Sequence, residues 1–339
     1  MDTMNVFGTD AFGMMSLTAY VNKQDYVPGR VGELVNFNEM GISTTHVAIE
    51  ENDTTLSLIA TSKRGEAAPV KTAKKRKLRL IDVPHIKKAV TVYADQVQGV
   101  RAFGSESQMQ TMESIVHQEM DTVGLEMDLT IENHRLGAFQ GIILDADGTT
   151  VLVNLFTEFN VTQETEVNFA LTTDTTDIAK KCAAIRRTMT TNLKLPHSGK
   201  FKIRALCGDT FYDDLKAHAN VKAAFDRWND GQFLRDDHTF SSFHYAGIDF
   251  ENYQGSDDGS SVAIATNECK LAPVGVPGLW EQRNAPADTK QTVNTIGLPR
   301  YVLQDPDGKN NDRAVHWEVQ SNPLAFCTRP KVLMKAKRA

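Results

Sequence analysis

The chain has 339 residues, 41% of them hydrophobic and 24% charged, enough for a sizeable core and about two domains. Its formal charge of −6, from 37 basic and 43 acidic side chains, rules out a chain that is basic throughout. The four cysteines, Cys182, Cys207, Cys269 and Cys327, are far apart and show no paired spacing, which argues against a disulfide framework or a zinc site.

The N-terminal "MDTMNVFGTDAFGMMSLTAY" lacks the basic start of a signal peptide, and no window approaches a membrane-spanning length. A soluble protein made in a reducing, cytoplasmic setting is expected. The first forty residues read as an extended arm with a short helix at most, and "VPGRVGE" is expected to break any helix. "TTHVAIEENDTTLSLIA" (Thr44 to Ala60) then alternates as a strand does, and "KLRLI" (Lys77 to Ile81) alternates again. Together they form a long hairpin around Gly65 and Pro69.

The strongest helix signal follows. Ser105 and Ser107 each have Gln three residues on, and Met109, Met112, Val116, Met120, Val123 and Met127 recur at steps of three and four. The spacing predicts a helix over about 105–136, its stripe serving as core or interface. Seven acids, Glu106, Glu113, Glu119, Asp121, Glu126, Asp128 and Glu132, lie in a window from Ala102 to His134 that holds no Lys or Arg. "FQGIILDADGTTVLVNLF" reads as a hairpin turning at Asp147-Gly148. A helix at "TDIAKKCAAIRRTM" shows Ile178, Cys182, Ile185 and Met189 on one face. The strand "KFKIRALC" leads into a helical region, "GDTFYDDLKAHANVKAAFDRW". Further strands are expected at "GIDFENYQG", "SVAIATN" and "AVHWEVQSNPLAFC". Helices and strands mix without a regular βαβ beat, so the fold class is α+β.

No chemistry emerges from the motifs. "LPHSGKF" lacks the first glycine and the Ser/Thr of a phosphate-binding loop. "DPDGKNND" places its glycine fourth rather than sixth and has no closing Glu, so it reads as a solvated turn instead of a calcium loop. His238 and His244 are six apart with aromatics between, no metal-binding histidine pair occurs, and no G-x-S-x-G elbow is present. An enzyme is not expected.

Three segments resemble the major capsid protein E family of tailed bacteriophages, the lambda-type capsid proteins. They are "ALCGDTFYDDLKAHANVKAAF" (Ala205 to Phe225), "APADTKQTVNTIGLPRY" (Ala285 to Tyr301) and "QSNPLAFCTRPKVL" (Gln320 to Leu333), with "VQGVRAFGSES" adding support. The resemblance implies the Hong Kong 97-type (HK-97) capsid fold and a division of the chain. An N-terminal arm would cover 1–40, the E-loop hairpin 41–90, and the first part of the P-domain 91–154 with its spine helix at 105–136. The A-domain would cover 155–285, and C-terminal P-domain strands 286–339. It further implies self-assembly as pentamers and hexamers into an icosahedral shell enclosing packaged double-stranded DNA, with a portal at one vertex and no cofactor. The location implied is the virion capsid, assembled in the host bacterial cytoplasm. The arm reads without a long scaffolding segment ahead of it, so a separate scaffold protein, or one processed from a neighbouring product, is expected. Family members commonly work with a small decoration protein, whose contact nothing in the sequence marks.

One feature of charge remains. "TSKRGEAAPVKTAKKRKLRL" (Thr61 to Leu80) carries a formal +7, leaving −13 on the rest of the chain. In the implied fold the hairpin reaches over a neighbouring subunit near its spine helix. Lys74, Lys75, Lys77 and Arg79 are therefore expected to face Glu119, Glu126 and Glu132 of an adjacent copy. A charged strand that prevents edge-to-edge aggregation and a grip on DNA phosphates are the other readings of the same run.

Overall fold

The stripe of Met and Val residues lies on one 29-residue helix, Met112–Gln140, about 44 Å long. The computed structural model describes residues 29–52, 76–97, 112–194, 200–227, 242–253, 262–304 and 314–339. Ahead of the long helix come a short helix, Arg30–Val35, then β1 (Asn38–Gly41), β2 (His46–Asn52), β3 (Arg76–Asp82), β4 (Ile86–Tyr93) and a helical turn, Ala94–Val97. After it come β5 (Ile142–Leu144), β6 (Val151–Asn154), the turn Leu155–Glu158, β7 (Val167–Asn168) and helix Ile178–Leu193. The strand β8 (Lys202–Cys207) precedes helices Asp209–Ala217 and Ala219–Arg227 and the strands β9 (Ser242–Tyr245) and β10 (Ile248–Asn252). The chain closes with β11 (Glu268–Val274), β12 (Trp280–Asn284), β13 (Tyr301–Gln304), β14 (Ala314–Ser321), β15 (Pro323–Cys327) and β16 (Met334–Lys337). The class is α+β, as expected.

The strands form a six-stranded sheet ordered β7-β16-β11-β8-β10-β9, two three-stranded sheets, β1-β12-β15 and β13-β14-β4, and the two hairpins β2-β3 and β5-β6. In the first half of the long helix, Val116, Met120, Val123 and Met127 share an apolar cluster with Val92, Val302, Trp317 and Val319. The stripe is thus core within its own chain. In the last turns Leu136, Ala138 and Phe139 enter a second, larger cluster, where Phe139 stacks on Trp280 at 5.9 Å and Phe37 meets the same indole edge-on. A third cluster joins Ile178, Cys182, Ile185 and Met189 to Ile203, Ala205, Phe250 and Leu271 of the six-stranded sheet. Asp177 caps that helix by accepting from the Lys180 amide at 3.0 Å.

Several boundaries differ from the sequence expectation. The long helix runs on to Gln140, because residues 134–139 are buried on every side and the turn is ended only by Gly141 at φ +93°. Its expected start, with Met109 and the Ser105 and Ser107 caps, lies outside the described residues. "VPGRVGE" does not exclude a helix: Arg30–Val35 begins directly after Gly29. "SVAIATN" is not a strand over 262–267; Val262 and Ile264 are buried from a loop, and the strand starts at Glu268. Alternating burial produces that pattern whether or not a partner strand exists. The Asp147-Gly148 turn forms as expected, with Asp147 accepting from the Thr149 and Thr150 amides. The four cysteines are buried free thiols, and Cys207 and Cys269 lie opposite each other across β8 and β11 with sulfurs 3.3 Å apart. Finally, β16 lies inside the six-stranded sheet, while β4 pairs along its length with β14. "DPDGKNND" and His238 lie outside the described residues.

Candidate subunit interface

The hairpin stem is an antiparallel ladder running from His46 opposite Asp82 to Asn52 opposite Arg76. Strand alternation gives it two unlike faces. Val47 and Ile81 point into the large core, and Arg79 shares their side. Its guanidinium donates to the Glu158 carbonyl at 2.5 Å and lies over the Phe159 ring at 5.8 Å. Arg79 therefore anchors the hairpin to its own chain and is removed from the expected set of intersubunit cations. The other face shows Leu78 and Leu80, 63% and 58% exposed, beside exposed Ala48. Lys74 and Lys75 lie outside the described residues, and Lys77 is described in its backbone only, opposite Glu51 in the ladder.

The acids of the long helix divide three ways. Glu119 is exposed, with no ion pair or hydrogen bond among the described residues. Glu126, about half exposed, is paired with Lys88 of β4 in the same chain. Asp121 is exposed like Glu119, while Asp128 and Glu132 lie deeper. Asp128 is paired with Arg300, yet burial still raises its pKa.

Glu132 is 4% exposed. It accepts from the Val31 amide at 2.7 Å and from the Tyr253 hydroxyl at 3.1 Å. Burial pushes its pKa up against the pull of those two donors and of Arg135. The carboxylate thus ties the long helix to the start of the Arg30–Val35 helix and to the end of β10. It cannot also meet a neighbouring hairpin, so it too leaves the expected set. The cause is its phase: Glu132 is one residue past Ile131, on the side of the helix that turns inward.

Two residues that sequence reasoning missed stand on the helix's exposed face, Leu125 at 69% and Leu129 at 41% exposure. They are one turn apart, flanked by Glu126, Asp121 and Glu119. Their signal was available: both fall off the Val116–Met127 stripe, on the face that ought to be polar. Among the described residues no His, Cys, Asp or Glu group is placed to hold a metal ion. No described helix is long and apolar enough to cross a membrane.

The segment Ala285 to Tyr301 crosses from β12 to β13 and is fixed on both sides. Gly297 donates to the Ile42 carbonyl at 2.9 Å, Arg300 pairs with Asp128, and Thr292 Oγ1 donates to the Ala287 carbonyl at 2.7 Å. Residues 13–338, which contain this segment and nearly all of the folded chain, match the family described as phage major capsid protein E. The chain belongs to that family. It is similar to the major capsid protein of Salmonella phage Felix O1, at 22% identity with 96% of each chain covered. It is also similar to that of Pseudomonas phage KPP10, at 23% identity with 86% of this chain and 87% of the relative covered. Among solved structures, a candidate capsid protein of an E. coli CFT073 prophage superposes with a TM-score of 0.59 at 13% identity, covering 96% of this chain and 99% of that one. The capsid of cyanophage P-SCSP1u gives 0.52 at 12% identity, covering 93% and 90%. The fold is therefore the HK-97-type capsid fold, and the chain is a phage major capsid protein of the virion shell. A shell built from copies of one chain makes homo-oligomerisation part of its function.

Proposed function

We propose that this chain assembles as pentamers and hexamers into an icosahedral head shell that encloses packaged double-stranded DNA. In this reading the β2-β3 hairpin of one copy lies on the exposed face of the long helix of the next. The observation that carries it is a match between two surfaces. One is a hairpin face with Leu78 and Leu80 exposed next to a strongly basic run; the other is a helix face with Leu125 and Leu129 exposed among acids.

The two kinds of contact differ in size. The four leucines are each roughly half exposed, and burying the remainder is worth about 1 kcal/mol apiece. An exposed ion pair contributes about 0.2–1 kcal/mol and is screened beyond about 8 Å at physiological salt. The leucines thus supply most of the adhesion. The charges of Lys74, Lys75 and Lys77 against Glu119 and Glu126 set register and rate of encounter. Glu126 has to exchange or share Lys88, which leaves Glu119 as the less committed acid. A separate scaffold protein and a portal at one vertex complete the proposal.

Negative-stain microscopy of the protein, expressed with and without its neighbouring genes, tests the shell. Closed shells, or rings of five and six, are expected; a monodisperse monomer under every condition would overturn it. Charge reversal tests the clasp. K75E/K77E should impair assembly and E119K/E126K in the same chain should partly restore it, whereas failure of every pairing to rescue removes the electrostatic part.

A further inference from the structure

Between helix Ile178–Leu193 and the strands β8 and β10 lies a cavity of about 870 Å³. Arg186 stands on its helix side and Lys200 and Lys202 on its strand side, with Phe201 between them. A smaller hollow of about 400 Å³ shares Arg186 and Thr190 with it and adds Arg187. All four cations are exposed, and none has an ion pair or side-chain hydrogen bond among the described residues. Among the described residues Asp249 is the one acid in the lining, and it is already engaged. His244 Nδ1 lies 2.5 Å and Arg204 Nη1 3.6 Å from its carboxylate oxygens.

The fold makes room for Arg186. Ala246 and Gly247, at φ +49° and +83°, make the tight turn between β9 and β10. A Cβ on Gly247 would sit 2.7 Å from Arg186 Nη1, so the turn leaves the room that the guanidinium occupies. Lys200 and Lys202 are two residues apart at the entry to β8, about 6.6 Å along an extended chain, close to the spacing of successive phosphates in an extended nucleic-acid strand. Three uncompensated cations in this cavity and a fourth, Arg187, in the hollow that adjoins it, on a chain of net charge −6, call for a polyanion.

We infer that this cavity is a binding site for the phosphodiester backbone of nucleic acid. Arg186 and Arg187 would bind phosphate oxygens as planar forks, and Lys200 and Lys202 as point charges on the opposite wall. The half-buried Phe201 offers a base an aromatic surface. The inference does not depend on shell assembly. In the proposed shell the ligand would be the enclosed genome, held without sequence preference. It also assigns nucleic-acid contact to the folded body of the chain instead of the basic hairpin.

The test is fluorescence anisotropy of a labelled oligothymidylate with the unassembled full chain, titrated against salt. Four phosphate contacts on a single strand predict a log–log salt slope of about −3, an affinity loss of about 50-fold between 50 and 200 mM salt. R186Q/K202Q, both exposed positions, should halve that slope to about −1.4 while the thermal melt is unchanged. No binding at 50 mM salt, or an unaltered slope in the double variant, would overturn the inference. So would loss of binding in K74Q/K75Q/K77Q with R186Q/K202Q intact, which would return the grip to the hairpin. Poly-glutamate competing as well as the oligonucleotide, charge for charge, would reassign the cavity to an acidic protein segment.

Discussion

Replacing Glu132 by Leu should destabilise the fold far more than replacing it by Gln. The wild-type carboxylate satisfies two donors from distant elements, the Val31 amide and the Tyr253 hydroxyl, and is itself 4% exposed. Leucine fills similar space but strands both donors, at about 1–3 kcal/mol each, so the expected loss is roughly 2–6 kcal/mol. Glutamine keeps an oxygen acceptor. It forfeits the extra strength of a charged hydrogen bond, but it also removes the cost of a buried charge, and the two changes leave it within about 1 kcal/mol of wild type at neutral pH. Urea unfolding of the unassembled subunit, with equal m-values as the check on two-state behaviour, measures both variants. The pH dependence adds an independent sign. The folded-state pKa of Glu132 lies above its ordinary 4.5, so the native state holds the proton more tightly than the unfolded state. Its contribution is full below 4.5 and is lost as pH rises through the folded value. E132Q should lack that component. Equal stability of E132L and E132Q would refute the reasoning, because it would mean that the carboxylate organises nothing.

Other outcomes follow from the same packing. His134 is 3% exposed, neither ring nitrogen has a hydrogen-bond partner among the described residues, and burial lowers its pKa below 6.5. Its neutral form is therefore the native one, so stability should fall as pH drops through 6.5 toward the folded value, and melting curves of H134L should be flatter between pH 7.5 and 5.5. Gly141→Ala forces a side chain into φ +93° with its Cβ 2.4 Å from the Phe156 ring, and should cost about 1–3 kcal/mol or more in urea unfolding.

What could be read from the sequence was local. The long helix, the β2-β3 stem, the Asp147-Gly148 turn and the Ile178–Met189 face each depend on periodicity or turn chemistry within a few residues. What could not be read depends on partners far along the chain. β1 runs parallel to β12, with Asn38 opposite Glu281, and β8 runs parallel to β10, with Ile203 opposite Ile248. "WEQRN" carries no apolar alternation, yet it is β12, with Gln282 and Asn284 buried. Gln282 is accounted for by Arg135, itself 2% exposed, whose Nε donates to it at 2.9 Å. The proposed interface was half legible for the same reason. Charge counts along the chain identified a basic run and an acidic helix. They could not tell an exposed Glu119 from a buried Glu132, nor an outward Leu78 from an inward Arg79. The cation cavity was not legible at all, because its residues come from four separate segments, each ordinary in its local sequence.

Zero-length amide cross-linking of assembled particles tests the central claim most directly. Particles built from a mixture of light and heavy-nitrogen protein separate contacts between copies from contacts within one. The account predicts mixed-isotope peptides that join Lys74, Lys75 or Lys77 to Glu119 or Glu126. Hairpin lysines joined only to carboxylates of their own chain, or to neighbours away from the long helix, would contradict it.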